Sequence, residues 1–165
     1  MTLRHRLLTS FAPAALAFAL AAGSPTPARA SNYAVEEIPQ AIPAAEAARL
    51  KAAGVPTTFA LLEKGADAAG RKTLSKQTKI AEKTLEGWIQ MADLLRVRGI
   101  GPDVARLLTA AGVRTVSQLK TANAAELSDA IMKANSKLKL SENPPSADHL
   151  SAWIEQAKTL PIVLK

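Results

Sequence analysis

Arg98-Gly99-Ile100-Gly101-Pro102 lies between two stretches of helical periodicity, and its reading decides the fold. Two glycines one residue apart let a backbone turn sharply and leave room for close approach. Ile100 between them reads as an apolar plug that fixes the corner in the core. Pro102 suits the first position of a helix. The start of that helix offers free N–H groups and about half a positive charge. A phosphate fits such a place without any base contact. Arg96, Arg98 and Arg106 are close enough in sequence to add charge. Gly99, Ile100, Gly101, Arg96, Arg98 and Arg106 are therefore the candidate phosphate- or nucleic-acid-binding residues. Architecture alone is the competing explanation, because the same glycines let two helices turn and pack. Asp103 favours it, since a carboxylate in the first turn already sits at the positive helix end.

The corner belongs to a repeat. Ile42-Pro43-Ala44-Ala45-Glu46-Ala47-Ala48-Arg49-Leu50-Lys51-Ala52-Ala53-Gly54-Val55 aligns with Ile100 to Val113 at an offset of 58. Thr57 then meets Thr115, and Leu61 meets Leu119. Leu85-x-x-Trp88-Ile89-x-x-Ala92-x-x-Leu95 matches Leu150-x-x-Trp153-Ile154-x-x-Ala157-x-x-Leu160 at an offset of 65. The second copy thus gains seven residues, which we place around Ser141 to Pro145. Two related halves of about 60 residues follow. Each alone buries too little surface to be stable, so they are expected to pack on each other. The first copy reads Ala41-Ile42-Pro43 at its corner and lacks both glycines.

Local signals are helical throughout. Pro43 and Pro102 sit at first-turn positions, and Gly54 and Gly112 follow the apolar pattern as C-terminal caps. Thr115 with Gln118, and Asn123 with Glu126, are capping pairs. Ser146 caps a last helix that Pro161 closes. Leu85, Trp88, Ile89, Ala92 and Leu95 share one helical face, and Leu150, Trp153, Ile154, Ala157 and Leu160 repeat it. Trp88 and Trp153 could serve as binding platforms, but that shared face favours core anchors. Only Pro161 to Leu164 has an extended character, as a tail.

Leu95 to Leu108 resembles the helix-hairpin-helix motif of DNA repair and replication proteins. More closely, the chain resembles an uncharacterised family of tandem, partly degenerate helix-hairpin-helix repeats, related to the helix-three-turn-helix DNA-binding elements. The residues that carry this are Leu61-Leu62-Glu63-Lys64-Gly65-Ala66, Gly70-Arg71-Lys72-x-Leu74, Ala92-Asp93-Leu94-Leu95-Arg96, Ala111-Gly112-Val113-x-Thr115-Val116-x-x-Leu119 and Trp153-Ile154-x-x-Ala157-Lys158-x-Leu160-Pro161. The resemblance covers residues 36–162. It implies an all-α, SAM-like fold in which two helix-hairpin-helix halves form one helical domain. It implies no settled activity.

The first thirty residues stand apart. Arg4, His5 and Arg6 are followed by an apolar run from Leu7 to Ala22, then by Gly23-Ser24-Pro25 and Ala28-Arg29-Ala30. That order is a secretory signal cleaved after Ala30. The apolar run, about sixteen residues, is short of the roughly twenty that span a bilayer. The expected organisation is a leader at 1–30, a linker at 31–40, a first half at 41–95 and a second at 96–162. No further stretch approaches spanning length, so the mature chain is expected to be exported, periplasmic or secreted, without an integral membrane segment. The chain has no Cys, which removes disulfide and thiol chemistry and any lipid attached to a leader cysteine.

Of 21 basic residues, Arg4, Arg6 and Arg29 leave with the signal, so 18 remain against 14 acidic ones, a net charge of +4. That balance tolerates nucleic acid without demanding it. Tyr33, Phe59, Trp88 and Trp153 are too few to build a base-stacking platform. Arg71, Lys72, Lys76, Lys79 and Lys83 form a second basic stretch, which suits a phosphate backbone, an anionic surface or, more commonly, a solvated helix face. His149 is the sole histidine after the leader and falls on a polar helix position. Nucleophile elbow, phosphate loop and paired zinc histidines are missing from the sequence, and the acids are scattered. We therefore expect no enzyme, no metal and no cofactor. Two functional classes remain. The first is an exported scaffold or protein-interaction module with a protein partner. The alternative is an exported, sequence-independent DNA binder using the Gly99-Ile100-Gly101 hairpin, analogous to competence receptors.

Overall fold

The computed structural model describes residues 31–165. The leader, with its expected cleavage after Ala30, lies outside the described residues. Eight α-helices and no sheet are present among the described residues: α1 (Ala44–Ala52), α2 (Thr58–Gly65), α3 (Ala68–Thr78), α4 (Glu82–Leu94), α5 (Pro102–Ala110), α6 (Val116–Leu119), α7 (Ala124–Leu138) and α8 (Ala147–Thr159). The fold is all-α, as the periodicity implies.

The matched sequence blocks build matched elements. α1 and α5 are both nine residues long, and each ends on a glycine with positive φ, +72° at Gly54 and +96° at Gly112. Val55 N–H returns to Leu50 O, and Val113 N–H to Leu108 O, both at 2.9 Å. These are Schellman caps, which satisfy carbonyls that the helix end leaves open. Thr57 and Thr115 then open α2 and α6, their hydroxyls accepting from Ala60 N–H and Gln118 N–H, each at 3.2 Å. Gln118 completes its box one residue early, accepting from Arg114 N–H at 2.7 Å. α4 and α8 are both thirteen residues long. Asn123 and Ser146 cap α7 and α8. Pro43 is the N-cap residue of α1 rather than part of its first turn.

α3 and α7 both end on a lysine in the left-handed region, Lys79 at φ 59° and Lys139 at φ 49°. Those two positions are offset by 60, and Leu85 and Leu150 by 65. Five of the seven extra residues therefore fall between Lys139 and α8, where they were expected. Asn135 holds this loop in place of backbone pairing: its Oδ1 accepts from Leu140 N–H and Ser141 N–H, and its Nδ2 donates to Ser141 O at 2.7 Å.

The core is one cluster drawn from every helix. Leu85, Ile89, Ala92 and Leu95 are buried in the first copy, and Leu150, Ile154 and Ala157 in the second. α4 is central and packs on α2, α3 and α5, while α8 packs on α6 and α7. Trp88 and Trp153 are half-buried and lie against the core rather than inside it, which corrects their reading as interior anchors. Both ends of the described chain are fastened to the first half. Residues 31–40, read as a linker, hold a short 3-10 turn at Val35–Glu37 with Val35 and Ile38 buried. Val35 N–H bonds Pro56 O and Thr58 N–H bonds Tyr33 O. At the other end, Lys165 N–H bonds Ala66 O at 3.0 Å.

The glycines of the quoted motifs have packing reasons. A Cβ at Gly65 would fall 2.2 Å from Ile89 Cδ1, so α2 and α4 meet across that residue. A Cβ at Gly70 would fall 2.0 Å from Lys64 O, so the start of α3 rides directly on the end of α2.

Candidate functional site

The hairpin forms where α4 runs out. Arg96 N–H bonds Asp93 O, Val97 N–H bonds Leu94 O and Ile100 N–H bonds Val97 O, a run of tight three-residue turns. Ile100 is fully buried and plugs the corner, as expected. Gly99 has φ +94° and needs the freedom of glycine there. Gly101 does not: its φ is −92°, and a Cβ would meet only Tyr33 Oη at 3.9 Å. The expectation that both glycines serve the backbone therefore holds for one of them.

Side chains of α8 touch the hairpin, although Arg98 and Gly99 remain exposed. Arg98 N–H donates to Gln156 Oε1 on α8. The Trp153 indole lies over Gly99, with Nε1 3.0 Å from the place a Cβ would occupy. His149, one turn earlier on α8, stacks on Trp153 at 6.2 Å between ring centroids and is exposed. Ser146 Oγ sits 3.1 Å from its Nδ1.

The three arginines part company. Arg96 is committed to the fold. Its Nη1 bonds Asp93 Oδ1 at 2.6 Å, and its Nη2 bonds Pro161 O at 2.9 Å. The second oxygen of Asp93 accepts from Val116 N–H at 2.8 Å, at the start of α6. One buried carboxylate thus joins the end of α4 to the start of α6, and Arg96 carries the link on to Pro161. Arg98 projects into solvent. Arg106 pairs loosely with Asp103 at 3.6 Å and lines a groove between α4, α5 and the end of α7. Asp103 is exposed in the first turn of α5, where its charge meets the helix end. In the first copy the corner is closed by Ala41 N–H and Ile42 N–H, both on Ile38 O at 2.9 Å.

The second basic stretch also divides. Arg71 Nη1 donates to Gly65 O and Ala66 O, closing the end of α2, and its Nη2 reaches Lys165 O. Lys72 and Lys76 are exposed one turn apart on α3. Lys79 caps α3, and Lys83 is exposed in the first turn of α4. Glu36 lies beside Lys51, whose Nζ bonds its Oε1 at 2.8 Å. That hydrogen bond holds the Glu36 carboxyl below its ordinary value, with the positive charge adding to the effect.

Sequence reasoning missed the contacts that α8 makes on the hairpin, and the groove. No spacing rule links Asp93 to Val116 or Gln156 to Arg98. The groove had one visible signal, Gly87 in the middle of an otherwise strong helix pattern. Among the described residues no three His, Asp or Glu side chains gather as a metal-holding group, and no helix is long and apolar enough to cross a membrane.

No curated protein and no solved structure matches the chain. A family model does, across residues 40–160, and it spans both copies of the repeat. The chain belongs to the family described as domain of unknown function (DUF4332).

Proposed function

We propose that the protein is an exported, non-enzymatic scaffold or protein-interaction module, built on a degenerate pair of helix-hairpin-helix units whose corners serve architecture. The observation that carries this reading is the Gln156 side chain on Arg98 N–H. A ligand phosphate at the hairpin has to compete with an acceptor already in place. Arg96 supports the same reading, since its guanidinium is held by Asp93 and Pro161. So does Trp153, whose Nε1 lies 3.0 Å from the place a Gly99 Cβ would occupy and so crowds one face of that residue. Export rests on the order of the leader residues, and the absence of catalysis rests on the motif reading of the sequence.

The exposed Arg98 favours the alternative, sequence-independent DNA binding through phosphate. A titration of the protein with duplex DNA at low and moderate salt separates the two. Phosphate contacts release counterions, so binding through them weakens with salt at a log–log slope near −0.9 per contact. The module reading expects weak attraction that Arg98→Glu lowers no more than charge reversal at Lys72, and that Gly101→Val leaves alone. Steep salt dependence abolished by either hairpin substitution would overturn it. Export is checked by the N-terminus of the protein recovered outside the cytoplasm, expected at Ser31. An intact leader on protein recovered from the cytoplasm alone contradicts it.

A further inference from the structure

A groove lies between α4, α5 and the end of α7 and holds Arg106. It is lined by Gly87, Trp88 and Met91 of α4, Ala110 of α5, and Leu138 and Leu140 at and beyond the end of α7. Its volume is about 340 Å³. A second depression shares Ala110 and Leu138 with it and runs along α7 past Lys133 and Lys137. Leu138 is 51 % exposed although it lies beside a core with apolar surface to offer. Large apolar side chains left open around a concave surface mark a place where something docks.

Gly87 adds a separate sign. It lies inside a thirteen-residue helix, where glycine is the poorest ordinary choice after proline. A Cβ there would meet nothing within 4 Å, and its φ is not positive. The matching residue of the second copy, at offset 65, is Ala152. The fold therefore has no need of a glycine at 87, and its effect is to deepen the groove floor beside Trp88.

Charge selects the occupant. Arg106 stands in the groove, paired only at 3.6 Å with the exposed Asp103, and Lys133 and Lys137 line its continuation. Lys139 follows at the end of α7, exposed. Among the described residues none of these three lysines is in an ion pair, and no carboxylate lines either depression. An apolar floor with a cationic edge fits a ligand that is apolar in the middle and anionic at its flank. The groove is open and short, with room for one or two side chains, and its glycine floor admits a backbone at close range. Those features suit a peptide better than an acyl chain, which needs an enclosing cavity.

We propose that the Trp88 groove is a docking site for an acidic segment of a partner protein, in which a large apolar side chain flanked by Asp or Glu seats on Gly87 and Trp88 while its carboxylates face Arg106, Lys133 and Lys137. The proposal rests on the interaction-module reading and gives its partner a chemistry.

The test uses the isotope-labelled protein and a pool of short amidated peptides, each with one Leu, Phe or Trp between acidic residues. The same pool with basic flanks is the control. The acidic pool is expected to shift the Trp88 indole and Gly87 amide signals saturably and to leave the Trp153 indole in place. Lys133→Glu with Lys137→Glu is expected to weaken this about tenfold, as two rim charge reversals of less than a tenfold step each. Gly87→Leu, which has open space for its side chain, should fold normally and abolish the response. No shift at Trp88, an equal response to basic flanks, or a shift that survives Gly87→Leu overturns the proposal. So does a Trp88 response confined to phosphatidylglycerol vesicles, which assigns the groove to lipid. A silent groove leaves the module reading standing, whereas saturable DNA binding at the hairpin sinks that reading whatever the groove does.

Discussion

Replacing Asp93 with Ala removes the carboxylate that holds Arg96 at the end of α4 and anchors the start of α6. The carboxylate is 4 % exposed and its partner Arg96 is 12 % exposed, with 2.6 Å between them. Its other oxygen is the acceptor for the buried Val116 N–H. Removing one member of a buried ion pair costs about 3–5 kcal/mol, because the other charge is left without its partner. A buried N–H without an acceptor costs about 1–3 kcal/mol more. The two do not add in full here. Arg96 keeps Pro161 O and reaches some water, and the start of α6 can fray to hydrate Val116. A loss of about 3–4 kcal/mol is therefore expected. That is a large share of the 5–15 kcal/mol that ordinarily holds a domain together. Urea unfolding followed by helical circular dichroism measures it, with an unchanged slope showing that the effect is on stability. Arg96→Met alone should also destabilise, and the pair of changes should cost clearly less than the sum, with a coupling of about 1–3 kcal/mol. An Asp93→Ala loss below about 1 kcal/mol would refute the reasoning. So would an Arg96→Met protein of full stability, the result expected of an arginine kept free for phosphate.

Glycine substitutions sort by what surrounds them. Gly70→Ala should lose about 2–3 kcal/mol because its Cβ would press on the Lys64 carbonyl, while Gly87→Ala should gain about 0.5–1 kcal/mol in the same melts. Gly99→Ala should lose about 1–2 kcal/mol for a left-handed alanine against Trp153, and Gly101→Ala should stay within about 0.5 kcal/mol of wild type. Lys79→Gly and Lys139→Gly relieve left-handed lysines at helix ends and should each raise stability by about 0.5–1 kcal/mol; a loss at either shows that its side chain contributes more than its backbone strain. The Glu36 carboxyl, lowered by Lys51, makes a small stabilising contribution that is full above the ordinary carboxylate range and fades as pH falls through its own lowered value. Carbonyl-detected titration should find that value returned to normal in Lys51→Ala, and an unmoved titration contradicts the pairing.

How much of this was legible follows from the range of each interaction. Helix starts and stops depend on neighbours within four residues, so Thr115, Asn123 and Ser146 were readable as caps wherever the sequence places a short oxygen side chain before an apolar period. The repeat made the corners and their Gly54 and Gly112 caps readable twice. Long-range polar pairing was hidden. Gln156 reaches Arg98 across 58 residues, and Arg96 reaches Pro161 across 65, and no local pattern encodes either. The candidate site therefore looked free of partners in the sequence, whereas in the structure Gln156 and Pro161 already hold two of its polar groups. Trp88 and Trp153 share a period with true core residues, yet their indoles overhang the edge of the core, because one end of a large ring suffices to satisfy that face. Arg71 was counted with exposed lysines because charge runs do not say which member turns inward; its guanidinium closes α2 instead.

The most direct measurement is residue-resolved. Amide signals of Arg98, Gly99 and Gly101 are followed in the labelled protein as duplex DNA is added at low salt. If the hairpin is closed by Gln156 and Trp153, these signals move no more than those of remote exposed residues, and Gln156→Ala moves Arg98 first. Saturable movement at all three amides in the unaltered protein, lost on adding salt, would show a working phosphate cradle and contradict the account.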